Sequence, residues 1–237
     1  LRPQDFQDLV GQKKAIEQIK RYIESGFLPN LILWGPPGTG KTSFARLLSK
    51  YFDCDFVAIN AVQSGVKELK EISESAKKKR IEFHRRTLLF VDEVHRFNKS
   101  QQDVLLPFIE SGDVTLIGAT TENPSYELNK AILSRSRLIV FEKIKHEELF
   151  VLMKKAAENH GYEITQIISS EAREWLQSWA DGDARKLFLA LEEIFSEISL
   201  LKKRNKNEFN NQFNSELKSN NTELNNDEQM KPLTKEN

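Results

Sequence analysis

The stretch LILWGPPGTGKTSFARLL, residues 31–48, decides how the whole chain is read. Leu31 to Trp34 is a short apolar run of strand type. It breaks into a turn, Gly35-Pro36-Pro37-Gly38-Thr39-Gly40, and resumes at Lys41 and Thr42 with apolar residues at helical spacing. Gly35 to Thr42 fits the pattern G-x-x-x-x-G-K-[ST]. The glycines permit backbone conformations in which successive N–H groups face inward around an anion. A helix beginning near Gly40 aims its positive end at the same point. Lys41 supplies a point charge suited to β- and γ-phosphates, and Thr42 a hydroxyl suited to Mg²⁺. Ser43 completes this phosphate-binding set on the first helical turn. A turn that merely connects two elements is the alternative, and the flanking strand and helix disfavour it.

A second run, Leu88-Leu89-Phe90-Val91, ends in Asp92-Glu93. Parallel sheets gather ligand groups at the carboxyl ends of their strands. Asp92 is therefore expected beside the phosphate loop, holding Mg²⁺ through water, with Glu93 placed as general base toward an attacking water. Acidic pairs often do no more than cap helices, but this one closes an apolar strand downstream of a phosphate loop. Together the two stretches imply hydrolysis of a nucleoside triphosphate. Guanine is usually read by an NKxD loop. Asn98-Lys99-Ser100-Gln101 and Asn129-Lys130-Ala131-Ile132 both lack the aspartate, which favours ATP.

Further strand-like runs stand at 56–59, 115–119 and 138–141, with amphipathic stretches between most of them. The alternation predicts an α/β class with a parallel sheet over residues 1–143. From 144 the texture becomes helical, with helices expected at 146–159, 169–180 and 183–200, broken at Gly161 and Asp181-Gly182. Residues 144–201 read as a small helical lid. Ten asparagines fall after Lys202, and 202–237 reads as an Asn-rich disordered tail or linker, too poor in apolar residues to offset its ordering entropy.

The chain has 237 residues, 39% of them hydrophobic, and 35 basic residues balance 35 acidic ones. No global basic field points to nucleic acid; a local patch is still able to bind it. One cysteine, Cys54, excludes an intrachain disulfide framework and a cysteine-based zinc cluster. No apolar run approaches a membrane span. The chain begins at Leu1 rather than Met, and is expected to be a fragment.

These residues resemble an AAA+ ATPase. Val10-Gly11-Gln12 is similar to the family's segment beside the adenine. Ala119-Thr120-Thr121 resembles the sensor 1 strand end, which implies that Thr121 contacts the γ-phosphate or the water. Asn60 is placed like the polar residue that restrains the catalytic glutamate. Ser134-Arg135-Ser136 resembles the clamp-loader "SRC" element, which implies that Arg135 reaches into a neighbouring subunit's site; Arg137 is a nearby competitor. Such an arginine is worth about 10³–10⁵ in rate in related systems. Gly182-Asp183-Ala184-Arg185 resembles sensor 2, so Arg185 would reach the nucleotide from the lid. Asp92-Glu93-Val94-His95-Arg96-Phe97-Asn98-Lys99, with Gln101-Gln102-Asp103, narrows the resemblance to the replication-associated recombination protein A group (RarA or MgsA). That group includes the Werner-helicase-interacting ATPases. Gly118-Ala119-Thr120-Thr121-Glu122-Asn123-Pro124-Ser125 agrees with it. The resemblance covers residues 1 to about 200. It implies ATP hydrolysis acting on forked or single-stranded DNA ends in fork maintenance and recombination. It also implies replication-protein partners such as single-strand-binding protein, homo-oligomerisation of the full-length protein, and a cytoplasmic, nucleoid-associated location in bacteria. Family members continue into a C-terminal oligomerisation domain where the Asn-rich segment stands here. A clamp-loader subunit, a branch-migration motor and a nucleotide-gated scaffold that does not turn over are the alternatives.

Lys77, Lys78, Lys79, Arg80, Arg85 and Arg86 read as a solvated helix face in preference to a DNA contact, since no aromatic residues interleave them. His95 is expected to orient Glu93, to sense DNA, or simply to hydrogen-bond within its loop. Trp175 and Trp179, four apart on a helix, read as lid core.

Overall fold

The computed structural model describes residues 3–204. Five parallel strands form one sheet: β1 (Asn30–Trp34), β2 (Asp55–Asn60), β3 (Thr87–Asp92), β4 (Val114–Thr120) and β5 (Ser136–Val140), in the order β2-β3-β4-β1-β5. The register sets Trp34 beside Thr120, Trp34 beside Val140 and Asn60 beside Asp92. The carboxyl ends of all five strands therefore lie along one rim.

Helices cover both faces, which is why the central strands read as unbroken apolar runs. On one face α1 (Lys13–Ser25) and α2 (Lys41–Tyr51) bury Ala15, Ile19, Phe44, Leu47 and Leu48 against Leu31, Leu33, Leu88, Phe90 and Ile117. On the other, α3 (Val66–Phe83) and α4 (Lys99–Glu110) bury Leu69, Ala76, Leu105 and Ile109 against Ile32, Leu89, Val91 and Leu116. Residues alternate between the two faces along each strand, as the pleat requires. Phe44 is fully buried, with Phe6 and Phe141 edge-on to it at centroid distances of 5.3 Å each. Burying one such ring contributes about 1.5–3 kcal/mol, and the edge contacts add to it. This cluster ties the N-terminal segment and the end of β5 to the helix behind the phosphate loop.

Short helices α5 (Pro124–Glu127) and α6 (Lys130–Ser134) connect β4 to β5. Beyond the sheet come α7 (His146–Asn159), α8 (Ile164–Ile167) and α9 (Ser170–Ala180). Ser169 caps α9, its side chain accepting from the Ala172 N–H, where the sequence places a helix start. The described residues fall into two units, divided between Leu189 and Ala190; of the second, residues 190–204 are helical. The expected boundary at 143/144 lies inside the first unit, and the expected tail lies outside the described residues from 205 on.

One expectation is corrected here. Trp175 and Trp179 are not lid core: they are 62% and 45% exposed, with rings stacked at 6.2 Å and 11°. The buried stripe of α9 is Leu176, Gln177 and Ala180, which faces α7. Each tryptophan precedes a stripe residue, so a rotation of about 100° per residue swings both indoles off the packed face. Members of the basic cluster pair with carboxylates of the same domain: Lys79 and Arg85 reach Asp55, and Arg80 reaches Asp113 at 2.9 Å.

Candidate nucleotide site

The phosphate loop leaves β1 at Trp34 and enters α2 at Lys41. Its first amide is fixed by the sheet, since Gly35 N–H donates to the Thr120 carbonyl at 3.1 Å. Two glycines are forced. Gly40, the residue before α2, has φ 96°, and Gly38 has φ 68° with the Asp183 carboxylate lying where a Cβ would be. A side chain at either place would be strained. The Gly38 carbonyl accepts the Ala184 N–H at 3.2 Å, so the segment carrying Arg185 closes directly onto the loop. Thr39 is buried, its hydroxyl donating to the Pro36 carbonyl at 2.9 Å.

A cleft of about 750 Å³ opens beside this loop. It is lined by Gly38 to Ser43, by Asp92 from the end of β3, and by Arg185. Val10 and Leu9 line it from the N-terminal segment, and Ile144, Leu152 and Phe188 from the helical part. The result is a polar end at the loop and, between the N-terminal segment and the helices, an end where these apolar side chains are rimmed by Asp8, Lys155, Glu158 and Asn159, a form that suits a planar base with a charged tail.

Val10 is held there by its neighbours. Gln12 is buried, and its amide makes a two-way pair with the backbone of Glu142: Nε2 donates to the carbonyl at 2.9 Å and Oε1 accepts the N–H at 3.1 Å. Gly11, at φ 83°, packs against the Glu148 carboxylate. Asp8 and Lys155, both at the cleft, pair at 3.3 Å. Sequence reading missed Asp8, Lys155, Ile144, Leu152 and Phe188, because only the fold brings them to the loop.

Lys41 is almost wholly buried, and its ammonium donates to the carbonyls of Gly35 at 2.6 Å and Pro36 at 2.7 Å. Burial pushes its pKa down to about 8; the Glu93 and Asp92 carboxylates act against that depression, and Arg185 adds to it. Glu93, Asp92 and Arg185 thus each lie within electrostatic range of Lys41. Pro37 is exposed at the crest of the turn.

The remaining expected residues are placed differently. Glu93 stands in the left-handed region at φ 53°, with its carboxylate 3.3 Å from His95 Nδ1. The Asn60 side chain caps its own turn, Oδ1 accepting the Val62 N–H at 2.9 Å. Thr121 follows β4 and is half-buried outside the cleft lining, whereas Thr120 beside it is buried and bonded to His95. Arg135 lies at the amino end of β5, remote from the loop, paired with Glu110 at 2.7 Å.

Residues 31–145 match the family described as ATPase family associated with various cellular activities (AAA). The chain is 46% identical over 198 residues to replication-associated recombination protein A of Escherichia coli (strain K12), covering 81% of this chain and 44% of that protein. It is 44% identical over 190 residues to ATPase WRNIP1 of Dictyostelium discoideum, covering 78% and 22%. The chain therefore spans less than half the length of these curated relatives. The RuvB Holliday junction branch migration motor of Thermotoga maritima matches with a TM-score of 0.70 at 24% identity, covering 85% of this chain and 67% of that one; the likeness is one of fold. Phosphate loop, strand-end carboxylates and these likenesses agree: the chain belongs to the AAA family of ATPases, in the group of the replication-associated recombination protein A and WRNIP1 proteins.

Proposed function

We propose that this chain is the ATP-hydrolysing module of a protein that acts on DNA in replication-fork maintenance and recombination. The observation that carries the hydrolytic part is the convergence of Lys41, Thr42, Asp92 and Arg185 on one cleft with an apolar end. The DNA part rests on the relatives named above. Partners by the same likeness are forked or single-stranded DNA, replication proteins such as single-strand-binding protein, and further copies of the full-length chain, in the cytoplasm.

The residues suit a phosphate-held Mg²⁺. Among the described residues no group of three His, Cys, Asp or Glu side chains gathers into a protein-made cage. Thr42 and Asp92, both on the cleft, offer the sparse oxygen set typical of an ion bound mainly through phosphate and water. When bound, the ion would neutralise phosphate charge and align the reacting oxygens. Lys41 would exchange its carbonyl partners for phosphate oxygens, and the loop amides would hold the β-phosphate. Glu93 would accept a proton from the water whose oxygen bonds to the γ-phosphorus as the bond to the bridging oxygen breaks, giving ADP and phosphate. Arg185 would read the γ-phosphate from the lid and Thr121 from the sheet, with Asn60 near the glutamate. Arg135 would act in a neighbouring copy.

Phosphate release by wild type and Glu93→Gln, with and without forked DNA, tests this. A loss of about 10²–10⁴ in kcat with ATP affinity retained is expected. Equal rates for the two proteins would remove Glu93 from the mechanism.

A further inference from the structure

His95 stands on the short turn Val94–Arg96 that follows Glu93. Its side chain is 5% exposed, while the Glu93 side chain beside it is 37% exposed. Nδ1 lies 3.3 Å from Glu93 Oε2 and 3.0 Å from Thr120 Oγ1. The Thr120 hydroxyl is engaged elsewhere as well: it donates to the Glu122 carbonyl at 3.1 Å and accepts the Glu122 N–H at 3.0 Å. With that hydroxyl proton directed at Glu122, both oxygens facing Nδ1 are acceptors, and the proton between them belongs to the ring. The main chain of Thr120 in turn anchors the phosphate loop, through the bond from Gly35 N–H to its carbonyl. Hydrogen bonds thus link the loop to Thr120 and Thr120 to His95, and the same Nδ1 stands 3.3 Å from the Glu93 carboxylate.

We infer that His95 is a positioning residue for Glu93: as the Nδ1–H tautomer it fixes the carboxylate relative to the phosphate loop, with Thr120 as its anchor. The inference rests on the hydrolytic role given to Glu93 above. Glu93 itself sits in the left-handed region, where its carbonyl accepts the Arg96 N–H at 2.8 Å, so the turn fixes its main chain and His95 stands against its side chain. Asn60 caps its own turn through Oδ1, whereas the His95 imidazole stands directly against the Glu93 carboxylate.

The chemistry of the ring gives a sharp test with the full chain. In His95→Asn the side-chain amide stands where Nδ1 stands; in His95→Gln it falls near the place of Nε2; His95→Ala removes both. His95→Asn is expected to keep kcat within roughly threefold, while His95→Gln and His95→Ala lose roughly 10- to 100-fold at unchanged KM and unchanged affinity for a fluorescent ATP analogue. Nitrogen NMR of the imidazole is expected to show the Nδ1–H tautomer, with a shift on Glu93→Gln. The inference is overturned if Asn and Gln variants behave alike, whether both are active or both are inert, or if the ring carries its proton on Nε2. A wild-type chain that releases no phosphate, while the imidazole still senses Glu93→Gln, sinks the hydrolytic reading instead and takes the role of His95 with it.

Discussion

The ammonium of Lys41 lies 2.6 Å from the carbonyl oxygen of Gly35, so the loop accepts with its own backbone the charge it offers to phosphate. Burial has lowered that ammonium from 10.5 to about 8. A bound polyphosphate would raise it again, because negative charge favours the protonated form. Binding then takes up a proton wherever free Lys41 has lost its own. ATP affinity is expected to be level below about pH 8 and to fall as pH rises above it, approaching tenfold per unit. Fluorescent-nucleotide titrations between pH 7 and 9.5 check this. Lys41→Met should bind far more weakly and show no such slope.

Arg135 and the phosphate loop stand at opposite ends of the same strands. Ser136, the next residue, pairs with Asn30 at the start of β1, and the loop leaves the far end of β1 at Trp34. Five residues of parallel strand separate the two ends by about 13–17 Å, beyond the reach of one side chain. A role for Arg135 in hydrolysis therefore has to be exerted on another copy. In an assembly of the full-length protein, Arg135→Ala should leave nucleotide binding intact and lower kcat by at least about 10³. Mixing Arg135→Ala with Lys41→Ala subunits should restore part of the activity. No recovery in a demonstrably mixed assembly counts against the trans role.

Gln102 is 4% exposed and joins three segments. Nε2 donates to the carbonyls of Phe97 at 3.0 Å and Glu127 at 3.1 Å, and Oε1 accepts the Asn129 N–H at 2.7 Å. Gln102→Leu keeps the volume and leaves three backbone groups unpaired. A loss of about 2–4 kcal/mol in urea unfolding is expected. Asp103→Ala deletes an exposed partner of Asn129 and should cost less than about 1 kcal/mol. The contrast separates desolvation from the mere loss of a bond.

The tryptophans of α9 give a test of burial. Truncating a core aromatic costs about 3–5 kcal/mol. Trp175→Ala, 62% exposed before the change, should lower stability by less than about 1.5 kcal/mol, with Trp179→Ala slightly worse. Thermal unfolding of the two variants decides it, and a loss of core size would return the pair to the interior.

The strand, loop and helix around residues 35–42 and the strand that ends at Asp92 were legible because both patterns are local: eight consecutive residues make the turn, and one apolar run leads into the two acids. The sheet was legible through its apolar runs. What escaped depends on register. Thr120, at the end of β4 where it pairs with Trp34, is buried and bonded to His95, a meeting of two strand ends that no spacing within either segment announces. The apolar end of the cleft joins Leu9 and Val10 to Leu152 and Phe188, more than 140 residues away, and no local pattern encodes such a meeting. The misplaced tryptophans show a limit of another kind: four-residue spacing says that two side chains share a face, and leaves open which face the neighbouring helix covers.

The stacked indoles of Trp175 and Trp179 have an optical consequence. Two such chromophores at 6.2 Å are close enough to couple their ultraviolet transitions, so a change in their stacking should alter the circular dichroism of this helix. The third tryptophan of the chain, Trp34, adjoins the phosphate loop instead. Absorbance and emission of the unlabelled protein thereby report on two separate places, and a movement of α9 is readable without any added dye.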